Sequence, residues 1–137
     1  MPVLMKVASD ARPFSSEPLT DEEAAAMFRA GLNLFRLWGV TDDQAARILD
    51  LPQRTFARWK AGQIGRIGRD GKALLSNLMG IHKALKIIFR DATRGYAWIK
   101  ASNAAFGGVS ALDVMLGGEL TDLMRVRRYL DAERGGW

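Results

Sequence analysis

From Thr20 onward the apolar positions recur at steps of three and four, and no stretch shows the sustained alternation of a half-buried strand. Ala24, Met27, Gly31, Leu34, Phe35 and Trp38 mark one face of a helix that begins after Thr20 and stops at Gly39. Thr20 with Glu23 has the form of a capping box, and Asp21 and Glu22 complement the helix dipole. A second helix is predicted over residues 42–49, capped by Thr41, with Ala45, Ala46 and Leu49 turned inward. Asp50-Leu51-Pro52 breaks it, and Pro52 suits the start of a third helix over residues 53–60, where its missing N–H costs nothing. Phe56 and Trp59 share one face of that helix. After a glycine-studded basic loop (62–71), a long helix is predicted over about 70–91, with Leu74, Leu75, Leu78, Ile81, Leu85 and Ile88 as its stripe. Short helices follow at 94–100 and from Ser110 to Leu116, around a turn at 102–108. A last helix covers about 119–133. Residues 1–19 have no period and carry Pro and Ser, so an extended or mobile arm is expected there. The fold class is all-α.

At 137 residues the chain is one domain, or two small units sharing a core. A chain of this size buries roughly 68% of its unfolded surface. It has no cysteine, which removes disulfides, Cys zinc sites, iron–sulfur clusters and Cys nucleophiles. His82 is alone and sits beside the Leu/Ile stripe as a boundary residue. No nucleophile–base–acid or metal-ligand set is available, so neither an enzyme nor a cofactor is expected. No apolar run approaches bilayer-spanning length, and residues 1–14 lack a signal peptide's apolar core. The chain reads as cytoplasmic.

The net charge is +5, but it is unevenly spread: −3 over residues 1–52, +9 over 53–100 and −1 over 101–137. A basic block inside a folded chain points to an anionic surface partner, most simply nucleic acid. The plain alternative is a solvated face with excess Lys and Arg.

The block opens on the strongest physical pattern, residues 41–62. Two short helices around a tight break describe a helix-turn-helix, whose second helix enters the major groove. With Phe56 and Trp59 anchored inward, Gln53, Arg54 and Arg58 point to base edges. Lys60 and Arg66 suit phosphates, and Thr41 at a helix start can hydrogen-bond one. An ordinary helical hairpin with a polar face has the same pattern. Asp42, Asp43 and Asp50 stand near the proposed DNA face, where they oppose phosphates. The glycine loop is not a P-loop. Gly65 stands five residues before Gly71, and Lys72 is followed by Ala73 instead of Ser or Thr.

The sequence ends Gly135-Gly136-Trp137, a large aromatic on a two-glycine hinge, with Arg125, Arg127, Arg128 and Arg134 just before it. This is either an aromatic anchor for a partner or an end that frays or folds back. Trp98-Ile99, Asn103-Ala-Ala-Phe106-Gly107-Gly108, Ala111-Leu112-Asp113, Gly117, Val126-Arg127-Arg128-Tyr129-Leu130-Asp131 and the Gly-Gly-Trp end resemble the Xre/MbcA/ParS-type antitoxins. Members carry an Xre-like helix-turn-helix ahead of this motif. The resemblance covers about residues 20–137. Ala111 stands where that family often has Pro, and Lys100 extends a segment that often has Pro.

The resemblance implies a non-catalytic antitoxin of a type II toxin–antitoxin system, partnered by a RES-domain toxin that consumes NAD or transfers ADP-ribose. It implies a C-terminal domain that covers the toxin's active site, and autorepression through operator DNA. Carried onto this sequence, the toxin contacts are Arg125, Arg128, Arg134, Gly135, Gly136 and Trp137. Asn103, Phe106, Gly107, Gly108 and Asp113 are expected to be structural, as turn and cap residues. The expected organisation is an arm (1–19), a DNA-binding and dimerisation region (20–66) and a toxin-binding domain (67–137). Operator symmetry calls for a homodimer. Two other readings stay open: a stand-alone helix-turn-helix repressor, and an adaptor that never touches DNA.

Overall fold

The computed structural model describes residues 19–135. Among these, seven α-helices and one 3-10 turn form the chain, with no strand. They are α1 (Asp21–Trp38), α2 (Asp42–Ile48), α3 (Gln53–Lys60), α4 (Arg69–Ile88), α5 (Ala92–Lys100), the 3-10 turn (Ala104–Phe106), α6 (Ala111–Met115) and α7 (Leu120–Glu133). The all-α expectation holds. The expected arm lies outside the described residues, apart from Leu19.

Side chains and glycines close the helix ends. Thr20 Oγ1 accepts from the Glu23 N–H at 3.0 Å, and Glu23 Oε1 accepts from the Thr20 N–H at 2.8 Å. Thr41 and Gln44 repeat that reciprocal pair at the start of α2, as Ser110 and Asp113 do at α6. Gly39 ends α1 at φ 70°, which lets the Val40 N–H turn back to the Phe35 carbonyl at 2.8 Å. α2 ends in the same way at Asp50, a non-glycine held at φ 54°, with the Leu51 N–H on the Ala46 carbonyl at 2.9 Å.

The inward stripe of α1 is Ala24, Phe28, Gly31, Leu34, Phe35 and Trp38. Phe28 takes the place expected of Met27, which is half-buried on the flank. Both residues step correctly from Ala24 and to Gly31, so periodicity alone could not choose between them. What decides is the pair of aromatic rings that α3 brings across. The glycine loop is pinned, because Ile67 is buried and Ile64 half-buried against the core.

α4 is the spine. It buries Leu74, Leu75, Leu78, Ile81, Ala84 and Leu85, and packs along α7 and against α1 and α5. Each large aliphatic buried this way contributes about 1.5–3 kcal/mol. Gly31 lets α1 approach α4: a Cβ there would stand 3.3 Å from the Leu78 side chain. Gly118, before α7, lies under α2: a Cβ there would meet the Arg47 carbonyl oxygen at 2.8 Å. Arg47 and Lys100 reach across the same junction, to the carbonyls of Leu116 (3.5 Å) and Gly39 (2.8 Å). The result is one contiguous apolar core from α1 to α7.

Candidate nucleic-acid and toxin interfaces

The helix-turn-helix is set by Phe28. Its ring meets Phe56 edge-on (5.9 Å between centroids, 67°) and Trp59 likewise (5.5 Å, 84°). Those contacts fix the inner face of α3, and Gln53, Arg54, Ala57, Arg58 and Lys60 are left exposed. The structure therefore brings four of the six candidate DNA contacts onto one helix.

Those four are not equivalent. Lys60 Nζ donates to both carboxylate oxygens of Asp42 at 2.8 Å. The Gln53 side-chain amide donates to Asp43. Arg54 and Arg58, one helical turn apart, make no ion pair among the described residues. Thr41 stands beside Lys60, but its hydroxyl oxygen already accepts from the Gln44 N–H at 3.1 Å. Arg66 is exposed on the loop and lines a different cleft, with Leu51, Trp59 and Ile67.

The +9 block separates in space. Lys72 holds the Leu19 carbonyl at 2.8 Å, near Asp21 at 3.8 Å, and Lys100 holds Gly39, so two of its cations brace the fold. Lys83, Lys86, Arg90 and Arg94 lie around the far end of α4. The separation from Arg69 to Lys86 along that helix is about 25 Å at 1.5 Å per residue.

An aromatic cluster, buried at Phe106 and half-buried at Trp98 and Tyr129, forms where α5, the 3-10 turn and α7 meet. Trp98 stacks on Tyr129 (6.0 Å, 10°), and Phe106 packs edge-on against both, at 5.3 Å from Tyr129 and 6.3 Å from Trp98. The Arg125 guanidinium sits 5.3 Å from the Phe106 ring centroid and donates to the Ala105 carbonyl at 3.5 Å. Arg128 is exposed, three residues further along α7. Arg134 turns back to Asp131 at 3.8 Å and is only 21% exposed. Gly135 follows at φ 111°. The expected contacts Gly136 and Trp137 lie outside the described residues.

Sequence reasoning did not see the Trp98–Phe106–Tyr129 platform. Its members come from three elements, and no local spacing links them. The turn residues act as expected of them. Asn103 Oδ1 accepts from the Ala105 N–H at 2.8 Å, and Gly107 and Gly108 take left-handed φ values. Asp113 accepts from both the Ser110 N–H (3.0 Å) and the Ser110 hydroxyl (2.9 Å), which holds its carboxyl below the usual value.

Among the described residues, no three His, Cys, Asp or Glu side chains gather as metal ligands, and no helix is long and apolar enough to cross a membrane.

The described chain is thus a helix-turn-helix followed by a helical unit that exposes Arg125 and Arg128 beside a half-buried aromatic cluster. Two family descriptions match this chain. The antitoxin Xre-like helix-turn-helix domain matches residues 17–80, and the antitoxin Xre/MbcA/ParS C-terminal toxin-binding domain matches residues 84–136. The chain belongs to the Xre/MbcA/ParS antitoxin family: it is an antitoxin of a toxin–antitoxin system, with a DNA-binding motif and a toxin-binding domain. It is also similar to the uncharacterized protein y4oB of Sinorhizobium fredii (strain NBRC 101917 / NGR234). The two are 39% identical over 125 residues, 90% of this chain and 93% of the relative.

Proposed function

We propose that this antitoxin neutralises a RES-domain toxin, an enzyme that consumes NAD or transfers ADP-ribose, by laying its C-terminal unit over the toxin's active site. The carrying observation is the pair of exposed arginines on α7, Arg125 and Arg128, with Arg125 seated over the buried Phe106 ring beside half-buried Trp98 and Tyr129. Arg and aromatic side chains are the residue types that dominate binding hot spots. Arg125, Arg128 and Arg134 with the 135–137 tail form the toxin contact in this reading. The antitoxin itself performs no chemistry.

The second activity is autorepression as a homodimer. Arg54 and Arg58, exposed and without ion-pair partners among the described residues, favour it. They meet base edges, and Gln53, Lys60, Thr41 and Arg66 complete the DNA contact. The division of labour falls at about residue 66, with 20–66 facing DNA and 67–137 facing the toxin. The setting is the cytoplasm.

The test is capture from the native host of tagged full-length protein and of a version lacking residues 135–137. The expected partner is stoichiometric, consumes NAD when freed, and is silenced by the full-length chain but not by the truncated one. Equal silencing by both removes the tail from the mechanism. A partner with no NAD-linked activity removes the RES reading. Operator retardation is expected to weaken by about 5- to 150-fold in Arg54→Ala or Arg58→Ala. Unchanged retardation leaves the second activity without support.

A further inference from the structure

The far end of α4 carries a cleft whose lining includes none of the residues assigned above to DNA or toxin contact. Its volume is about 340 Å³, and its floor is formed by Leu37 of α1, Leu85 and Phe89 of α4 and its cap, and Tyr96 of α5. Phe89 and Tyr96 are half-buried, so part of each ring is open to the cleft. Lys86 and Arg90 stand on the lining and are exposed, and neither has an ion-pair partner among the described residues. The exposed Lys83 and Arg94 flank them in the chain. The neighbouring acid, Asp91, is occupied as the cap of α5, accepting from the Thr93 N–H at 2.9 Å. His82 also lines the cleft, and burial, with Lys86 beside it, holds its imidazole below its usual pKa. At neutral pH it is therefore an uncharged donor and acceptor.

An apolar, aromatic floor under a cationic rim selects its occupant. A second copy docking this face on itself would oppose Lys86 and Arg90 to their own images. A bare phosphate, or a duplex backbone, gains nothing from Leu37, Phe89 and Tyr96. An aromatic body with an anionic group uses both halves, and the volume lies in the range of small-ligand pockets, about 300–1,000 Å³. We propose that this cleft binds a small organic anion with a planar aromatic body, the ring against Tyr96 and Phe89 and the anionic group on Lys86 and Arg90.

The probe is AMP, which joins a purine ring to a phosphate monoester. Full-length protein is titrated calorimetrically with AMP, with adenosine and with inorganic phosphate. Saturable AMP binding is expected, with each fragment weaker by about tenfold or more, since each forfeits one half of the site. Lys86→Ala and Arg90→Ala are expected to weaken AMP by about tenfold each while leaving adenosine unchanged. Tyr96→Leu is expected to weaken AMP and adenosine alike. Circular dichroism and melting of each variant separate lost binding from lost folding, and Lys86→Gln, which keeps the alkyl stem, serves as the control where Lys86→Ala melts early. The proposal is overturned by no saturable AMP binding, by phosphate binding as tightly as AMP, or by AMP binding that survives the Lys86→Ala, Arg90→Ala double variant. Duplex DNA that outcompetes AMP and is lost in that double variant would also overturn it, by assigning the face to nucleic acid.

Discussion

Lys60 Nζ lies 2.8 Å from both carboxylate oxygens of Asp42, so the last residue of α3 is tied to the first of α2. Gln53, the first residue of α3, is tied to Asp43. The acids of α2 thus hold both ends of the candidate recognition helix. The Lys60–Asp42 pair is exposed, at 49% and 61%, so it contributes at most about 1 kcal/mol to stability. Its larger consequence is for an anionic partner, which must compete with Asp42 for Lys60.

Neutralising these acids is therefore expected to strengthen operator binding. Asp42→Asn should tighten it by about 3- to 10-fold at low salt and, by freeing Lys60 for a phosphate, steepen the dependence of log K on log salt by about one unit, whereas Asp43→Asn, which frees only the uncharged Gln53, should tighten it with a smaller change of slope. The gain should shrink as salt rises. Retardation assays across a salt series read both quantities. Weaker binding in Asp42→Asn would mean that the acid positions Lys60 for DNA instead of opposing it.

Phe28→Ala is expected to destabilise the protein by about 3–5 kcal/mol. The ring is 1% exposed and meets Phe56 and Trp59 at once, so its loss opens a cavity under α3. Operator binding should fall with it. Phe28→Leu should cost much less of both. Urea titration followed by circular dichroism gives the stability. A loss below about 1 kcal/mol would remove Phe28 as the anchor of the helix-turn-helix.

Asp50 turns the chain between α2 and α3 at φ 54°. Asp tolerates this region better than most residues, and a β-branched side chain does not. Asp50→Val is expected to lower stability by about 1–2 kcal/mol. Asp50→Gly should be close to neutral, because relief of the left-handed strain offsets the added freedom of the unfolded chain. Thermal melts of both variants check the contrast. Equal effects would place the cost in the lost carboxylate and not in the backbone.

Acidification should weaken the fold in two stages. The His82 imidazole is held down first by burial and second by Lys86. Its neutral form is favoured in the folded state, so its contribution is complete above the unfolded value of 6.5 and lost as pH falls below it. Asp113 is held down by the backbone N–H and hydroxyl of Ser110, and Glu23 by the N–H and hydroxyl of Thr20. Their contributions persist until pH falls below about 4 and through the lowered values. Melting temperature followed from about pH 7.5 to pH 3 should show both stages. His82→Gln should remove the first, and Asp113→Asn should diminish the second. A wild-type melting temperature that stays flat from about pH 7 to pH 5 would remove His82 from this account.

Much of this architecture was legible in the residues. Capping pairs such as Thr20 with Glu23 and Ser110 with Asp113 act within one turn, so spacing alone reveals them. The α4 stripe is long enough for its period to be unambiguous. Helix ends were less so: α4 begins at Arg69 and stops at Ile88, short of the expected Asp91, because Asp91 serves as the cap of α5. Phe28 is not legible from spacing, because Met27 and Phe28 fit the same period and only the facing rings of α3 distinguish them. The candidate DNA face was visible as residue types on α3, but not its ties to Asp42 and Asp43, which need the angle between two helices. The aromatic platform was invisible because Trp98, Phe106 and Tyr129 meet only after three elements have packed.

α4 lies within the core that α1 and α3 share, and also along α7. A cut within α4 is therefore expected to loosen both ends of this core together. A protease that opens α4 is expected to end toxin binding and the proposed operator binding in a single step. A melt should show one transition, without an intermediate that keeps either grip. The lifetime of both activities is then one number, set by how often this single core opens.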